Sequence, residues 1–203
     1  MSKKNLLYTG FFIALALIFY FAMTRLIPGF GKPQSPPVNT VKPFAFINQD
    51  SEMITNANVK GKVYVAEYFF THCPGICPEM NNNMRMVYEA FKDEPDFLIL
   101  SHTCDPDRDS ATQLKHYSDS MKVDTRRWIF LTGRKDSLYY AARESYTIDD
   151  PANNLKSIDD QFIHSQFWAL VDKNGDVRKV YDGLKPSEVK ALIKDARKWL
   201  KDK

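Results

Sequence analysis

Phe69-Phe70-Thr71-His72-Cys73-Pro74-Gly75-Ile76-Cys77-Pro78 is the stretch on which the reading of the chain turns. An apolar run, Val63 to Phe70, leads into it with apolar side chains on both faces, as in a central strand. A helical pattern leaves it: Met80, Met84, Val87, Tyr88 and Phe91 recur at helical spacing up to Lys92, and Pro78 suits the first turn. A buried strand handing over to a helix is the usual place for chemistry in an α/β domain. Two of the three cysteines stand at that handover.

Working outward, the remaining elements follow the same alternation. Phe44 to Ile47 and Glu52 to Thr55 flank the polar turn Asn48-Gln49-Asp50-Ser51 and read as a hairpin, and Lys60-Gly61-Lys62 as a further turn. Phe97 to Ser101 is a second buried strand, and Asp109 or Ser110 caps a helix reaching about Met121. Trp128 to Thr132 is a third strand and Asp136 to Tyr146 a helix; Thr147 to Ile163 is polar and irregular. Phe167 to Val171 and Val177 to Tyr181 flank the turn Lys173-Asn174-Gly175-Asp176, and Pro186 opens a last helix with an apolar stripe through Leu200. Strands alternating with helices, then a hairpin and a terminal helix, predict an α/β, thioredoxin-like domain over residues 44–203.

Ahead of it the sequence changes character. After a stub of residues 1–5 with Lys3 and Lys4, Leu6 to Met23 runs eighteen residues without a charge, and the run extends to Ile27 if Arg25 snorkels. A small-x-small cleavage site does not follow; Thr24-Arg25-Leu26 does. Residues 6–27 are therefore expected to be an uncleaved anchor in the lipid bilayer, its lysines in the cytoplasm. Residues 28–43 hold five of the eleven prolines and read as an extended tether. A net charge of +3, with no Lys/Arg stripe interleaved with aromatics, speaks against nucleic acid as a partner. Three cysteines, an odd number, argue against a disulfide framework.

What the thiols can do follows from their spacing. Side chains four apart on a regular helix have Cβ atoms about 5–6 Å apart, whereas a relaxed disulfide wants about 3.5–4.5 Å. The pair is thus slightly wide for a disulfide and well spaced to close on one soft metal ion, although Pro74 and Gly75 can keep the stretch irregular. A helix N-terminus at Cys77 favours thiolate, which metal binding and redox exchange both need. Two sulfurs hold Cu(I) linearly, and Cu(II) asks for nitrogen or oxygen donors as well. Of the four histidines, His72 points away from Cys73 in extended chain, and His102 and His116 remain open. His164 is the best placed, between the irregular segment and a core strand. Cys104 ends a strand and reads as a packed thiol; Met80 and Met84 fit the core stripe.

The residues Phe70 to Pro78 resemble the signature of the SCO/SenC family of copper proteins. Asp105-Pro106-Asp107-Arg108-Asp109-Ser110 is similar to that family's acidic segment, and His164 stands where the family has its ligand histidine. The resemblance runs from about Pro43 to Leu200. It implies one copper per chain, as Cu(I) or Cu(II), held by Cys73, Cys77 and His164, with Asp105 and Asp109 as supporting acidic residues. It also implies a periplasm-facing domain on a bacterial inner membrane that delivers copper to the copper-site subunit of cytochrome c oxidase, reduces that site's cysteines, or both. Such a protein is a metallochaperone and not an enzyme. Gly75 departs from the acidic residue common in the family, and Cys104 from a usual apolar one.

Two other readings compete. A thiol–disulfide reductase or a peroxiredoxin-type peroxidase would use Cys73 or Cys77 as a redox disulfide or nucleophile. Against it, the spacing is CxxxC rather than CxxC, and His164-Ser165 stand where thioredoxins keep a cis-proline. A copper or redox sensor would need a membrane partner, because five residues precede the anchor.

Overall fold

A computed structural model describes residues 3–26, 36–149, 163 and 165–201. The chain divides into two compact units, Met1–Ser35 with Asp202–Lys203, and Pro36–Lys201. In the first, α1 (Lys3–Leu26) is a 24-residue helix with no buried side chain. At about 1.5 Å per residue it is roughly 36 Å long, enough for a hydrocarbon core of about 30 Å. By length and composition it is apolar enough to cross a membrane.

The second unit begins with β1 (Asn39–Thr40), β2 (Ala45–Asn48), β3 (Met53–Thr55), α2 (Asn56–Val59) and β4 (Val63–Phe69). It continues with α3 (Cys77–Phe91), β5 (Phe97–Thr103), α4 (Ala111–Met121), β6 (Trp128–Thr132) and α5 (Lys135–Tyr140), which runs on as a π-helical turn, Ala141–Ser145. It ends with β7 (Phe167–Val171), β8 (Asp176–Asp182) and α6 (Pro186–Lys201). The strands form one sheet in the order β1-β8-β7-β4-β5-β6-β2-β3. β4, β5 and β6 are parallel, with α3 and α4 as crossovers, while β7 joins β4 antiparallel. The β7–β8 turn uses Gly175 at φ +83°, a conformation a side chain would oppose. This is the expected thioredoxin-like α/β architecture.

The sheet is covered on both faces, so its central strands are apolar on both. Val63, Val65 and Phe69 pack with Ile99, Trp128 and Phe130 beneath α3, α6 and Leu114 of α4. Tyr64, Ala66 and Tyr68 pack with Leu100, Leu131 and Val171 against α5 and the π-helical turn. Each such side chain taken out of water contributes roughly 1.5–3 kcal/mol. Glu67 breaks the pattern expected of β4: it points to the α3 face and is 1% exposed.

The tether expectation changes at its end. Asn39 and Thr40 pair with Val177 and Asp176, and Val41 is buried, so the sheet begins before Phe44. A two-residue edge strand has no period to read; its partner β8 defines it. α2 also went unread. Its start carries a capping box, Thr55 with Asn58, in which each side chain satisfies the other's backbone N–H.

Candidate functional site

β4 ends at Phe69 on the middle of the sheet and the chain turns over its end, the Cys73 N–H bonding the Phe70 carbonyl at 3.3 Å. α3 then starts at Cys77, with Pro in its first turn and no side chain capping its N-terminus. Its first N–H groups are therefore left for another acceptor. That acceptor is Cys73. Burial pushes the Cys73 thiol up, but hydrogen bonds from the Cys77 thiol and from the N–H groups of Cys77, Gly75 and Ile76 outweigh it and hold Cys73 below the ordinary thiol range. Cys77 pairs with it in the opposite sense. Burial first, then the hydrogen bond to Cys73, push it up to about 12, with the charges of Cys73 and Glu67 adding to the rise.

The two thiols thus interact, one favoured as thiolate and the other keeping its proton, and all three cysteines are free. They open onto a cleft of about 400 Å³ between α3 and α4, lined by Phe70, Asn81, Arg85 and Tyr117 beside the thiols. Two adjacent soft donors fit Cu(I) by donor chemistry.

A carboxylate braces the loop. Asp109, buried, accepts the Thr71 hydroxyl at 2.5 Å, the Thr71 N–H at 3.1 Å and the Thr103 hydroxyl at 2.6 Å. It ties the residue two before Cys73 to the end of β5. Asp105 sits one turn earlier, half-buried, its carbonyl accepting from the Asp109 N–H and its carboxylate 3.9 Å from Arg108.

Below the thiols lies Glu67. Complete burial pushes it up to about 8, against the pull of the Ser101 hydroxyl at 2.5 Å, which in turn accepts from Trp128 Nε1 at 2.7 Å. Its second oxygen has no hydrogen-bond partner among the described residues. Alternation along β4, with an acid on the helix-covered face, was the available signal for it.

The other histidines fall elsewhere. His72 is exposed with Nδ1 2.9 Å from Thr71 Oγ1, and His116 is exposed on α4. His102 is fully buried on the opposite face, stacked on Tyr68 and edge-on to Phe46. Among the described residues, no group of three His, Cys, Asp or Glu forms a metal cluster. His164 lies outside the described residues. Cys104 is 2% exposed and packs in the α5-side core, opposite the cluster that holds Cys77.

The profile of the family described as SCO1/SenC matches residues 32–201. A Bacillus subtilis (strain 168) protein described as "SCO1 protein homolog" is 32% identical over 171 residues, covering 82% of this chain and 86% of its own length. The solved structure of BsSco, reported with a disulfide switch and as a member of the Sco family of cytochrome c oxidase assembly proteins, superimposes with a TM-score of 0.70. It is 30% identical, and the match covers 85% of this chain and 100% of that one. Yeast Sco1, solved with copper bound, shares the fold at a TM-score of 0.60 and 22% identity, over 82% of this chain and 98% of that one.

Proposed function

The chain belongs to the SCO1/SenC family, and from that premise we propose that it is a copper chaperone for cytochrome c oxidase assembly. Copper is its cargo, one ion per chain, and Cys73, Cys77 and His164 are its ligands. α1, with residues 6–27 in the bilayer and Lys3 and Lys4 in the cytoplasm, anchors it to a bacterial inner membrane. The domain then faces the periplasm, where the oxidase's copper-site subunit receives the ion.

The observation that carries this reading is the Cys73–Cys77 pair, two free thiols lining one cleft at the start of α3. The α3 N–H groups hold the first thiolate ready, and the second gives up its proton when a cation replaces that proton between the sulfurs. Release runs the other way: a partner's thiolates displace the sulfurs one at a time, and the open cleft beside Cys73 gives them access. Asp109 keeps the loop in register through Thr71, so the two sulfurs stay matched to one ion.

The depressed Cys73 also supports the second role named for the family, reduction of the partner's cysteines. Cys73 thiolate attacks a partner disulfide and expels one partner thiolate. Cys77 then attacks the mixed disulfide, giving the Cys73–Cys77 disulfide and the second partner thiolate.

The test is an anaerobic competition titration of the full chain in detergent with a Cu(I) chelator. One tight Cu(I) per chain, bound far more weakly by Cys73→Ser and Cys77→Ser, is expected. No tight binding in the reduced wild type removes copper and moves the site to thiol exchange alone.

A further inference from the structure

Cys77, Asn81 and Arg85 stand four apart on α3 and so share one face, the face that lines the thiol cleft opposite Tyr117 and Met121 of α4. Arg85 Nη2 donates to the carbonyl of Met121, the last residue of α4, so the guanidinium bridges the two helices away from the thiols. That bond uses one of its five N–H groups. Among the described residues Arg85 has no carboxylate partner, and besides the Cys73 thiolate it is the only charged side chain lining the cleft. Between the two ends, Asn81 Nδ2 donates to the Tyr117 hydroxyl. The Asn81 carbonyl oxygen and the Tyr117 O–H then remain to accept from and donate to a ligand.

The spacing sets the ligand's length. From Cys77 to Arg85 the helix rises eight residues, about 12 Å at about 1.5 Å each. An extended peptide covers that in about three to four residues at about 3.3 Å each. An acceptor and a donor along the way suit its backbone, and a half-buried cation without a counter-charge suits a carboxylate at its end.

We propose that the cleft between α3 and α4 is the docking groove for an extended segment of the partner protein, one that carries a cysteine and, about three or four residues from it, an acidic side chain. The cysteine meets Cys73 and the carboxylate meets Arg85. The proposal rests on the reading that Cys73 and Cys77 exchange with a partner's cysteines, and it names the feature by which the partner is chosen.

The experiment uses the full chain in detergent, reduced and free of copper. The probes are synthetic peptides whose single cysteine is capped as a mixed disulfide with an aryl thiol. Cys73 thiolate attacks the peptide's cysteine sulfur, the new S–S bond forms, and the aryl thiolate leaves with the electron pair of the broken one. Its absorbance gives the rate. At low salt a peptide with glutamate about three or four residues from the cysteine is expected to react about 5-fold faster than its glutamine counterpart, and the preference should fade as salt rises. Arg85→Gln should abolish the preference and Arg85→Lys should keep part of it.

Equal rates for the two peptides on wild type overturn the proposal, whether or not the variants fold. So does a preference that Arg85→Gln leaves intact, or one as large when glutamate directly adjoins the cysteine. An Arg85-dependent rate with oxidised glutathione as high as with the spaced peptide assigns the cleft to small thiols and overturns it too. Wild type that prefers the acidic peptide but binds no Cu(I) fails the copper reading and supports the groove. Wild type that binds Cu(I) without the preference fails the groove alone.

Discussion

Thr71 and Asp109 are joined twice, by a 2.5 Å hydroxyl–carboxylate bond and a 3.1 Å bond from the Thr71 N–H, although 38 residues separate them. That pair fixes the loop that carries the thiols. Bonds to a buried carboxylate are stronger than neutral ones, and removing the carboxylate strands the donors. Asp109→Ala is expected to cost about 3 kcal/mol in urea unfolding. Thr71→Val, which keeps the backbone bond, should cost about 1 kcal/mol. An Asp109→Ala protein as stable as the wild type would remove the brace.

The two thiols should react at different pH. Cys73, held below the ordinary thiol range, is expected to take up iodoacetamide with a lower pH midpoint than an unperturbed thiol. Cys77, pushed up to about 12, should stay unreacted until more alkaline pH. Cys77→Ala removes a donor to the Cys73 sulfur, so the Cys73 midpoint should rise. Mass-mapped alkylation against pH reads both sites, and equal midpoints would contradict the N-terminal arrangement at α3.

Much of this was readable from the residues, and the gaps have physical causes. β6 and β7 fall where their apolar runs predicted, because a strand buried on both faces carries its own signal. The CxxxC spacing and the Pro after Cys77 marked the strand-to-helix handover. The brace at Asp109 did not show in the sequence beyond the acidic segment itself, since its partners Thr71 and Thr103 meet it only once β4 and β5 pair. Glu67 hid inside an apolar run. β1 depends wholly on β8.

Two buried groups on opposite faces give stability a sloped pH dependence. Complete burial pushes His102 down to about 4, against backbone bonds that pull it up. Its folded value lies below the unfolded value of about 6.5. Its neutral form is therefore favoured by folding, and stability is lost as pH falls from about 6.5 through 4, by roughly 3 kcal/mol. Glu67 works with the opposite sign. Its value is raised to about 8, so the folded state keeps a proton the unfolded chain has lost, and stability falls as pH rises from the ordinary carboxylate range through 8. Urea melts across pH 4–8 should show Glu67→Gln flattening the alkaline slope and His102→Phe the acid one. Slopes unchanged by either substitution would contradict these burials.

Gly183 is required by a neighbour. A Cβ there would lie 2.6 Å from Trp168 Nε1 and closer still to Cε2, inside any real contact. Trp168 is fully buried and cannot withdraw. Gly183→Ala is expected to cost about 1–3 kcal/mol and lower the melting temperature by several degrees. Calorimetry showing no change would mean the indole can move.

The central claim is that copper sits between Cys73 and Cys77. X-ray absorption at the copper edge, on the Cu(I)-loaded full chain, counts the sulfurs directly. Two sulfur scatterers are expected, with one left in Cys77→Ser and an imidazole contribution lost in His164→Ala. A shell of nitrogen and oxygen alone, or a sulfur count unchanged by Cys73→Ser and Cys77→Ser, would contradict it.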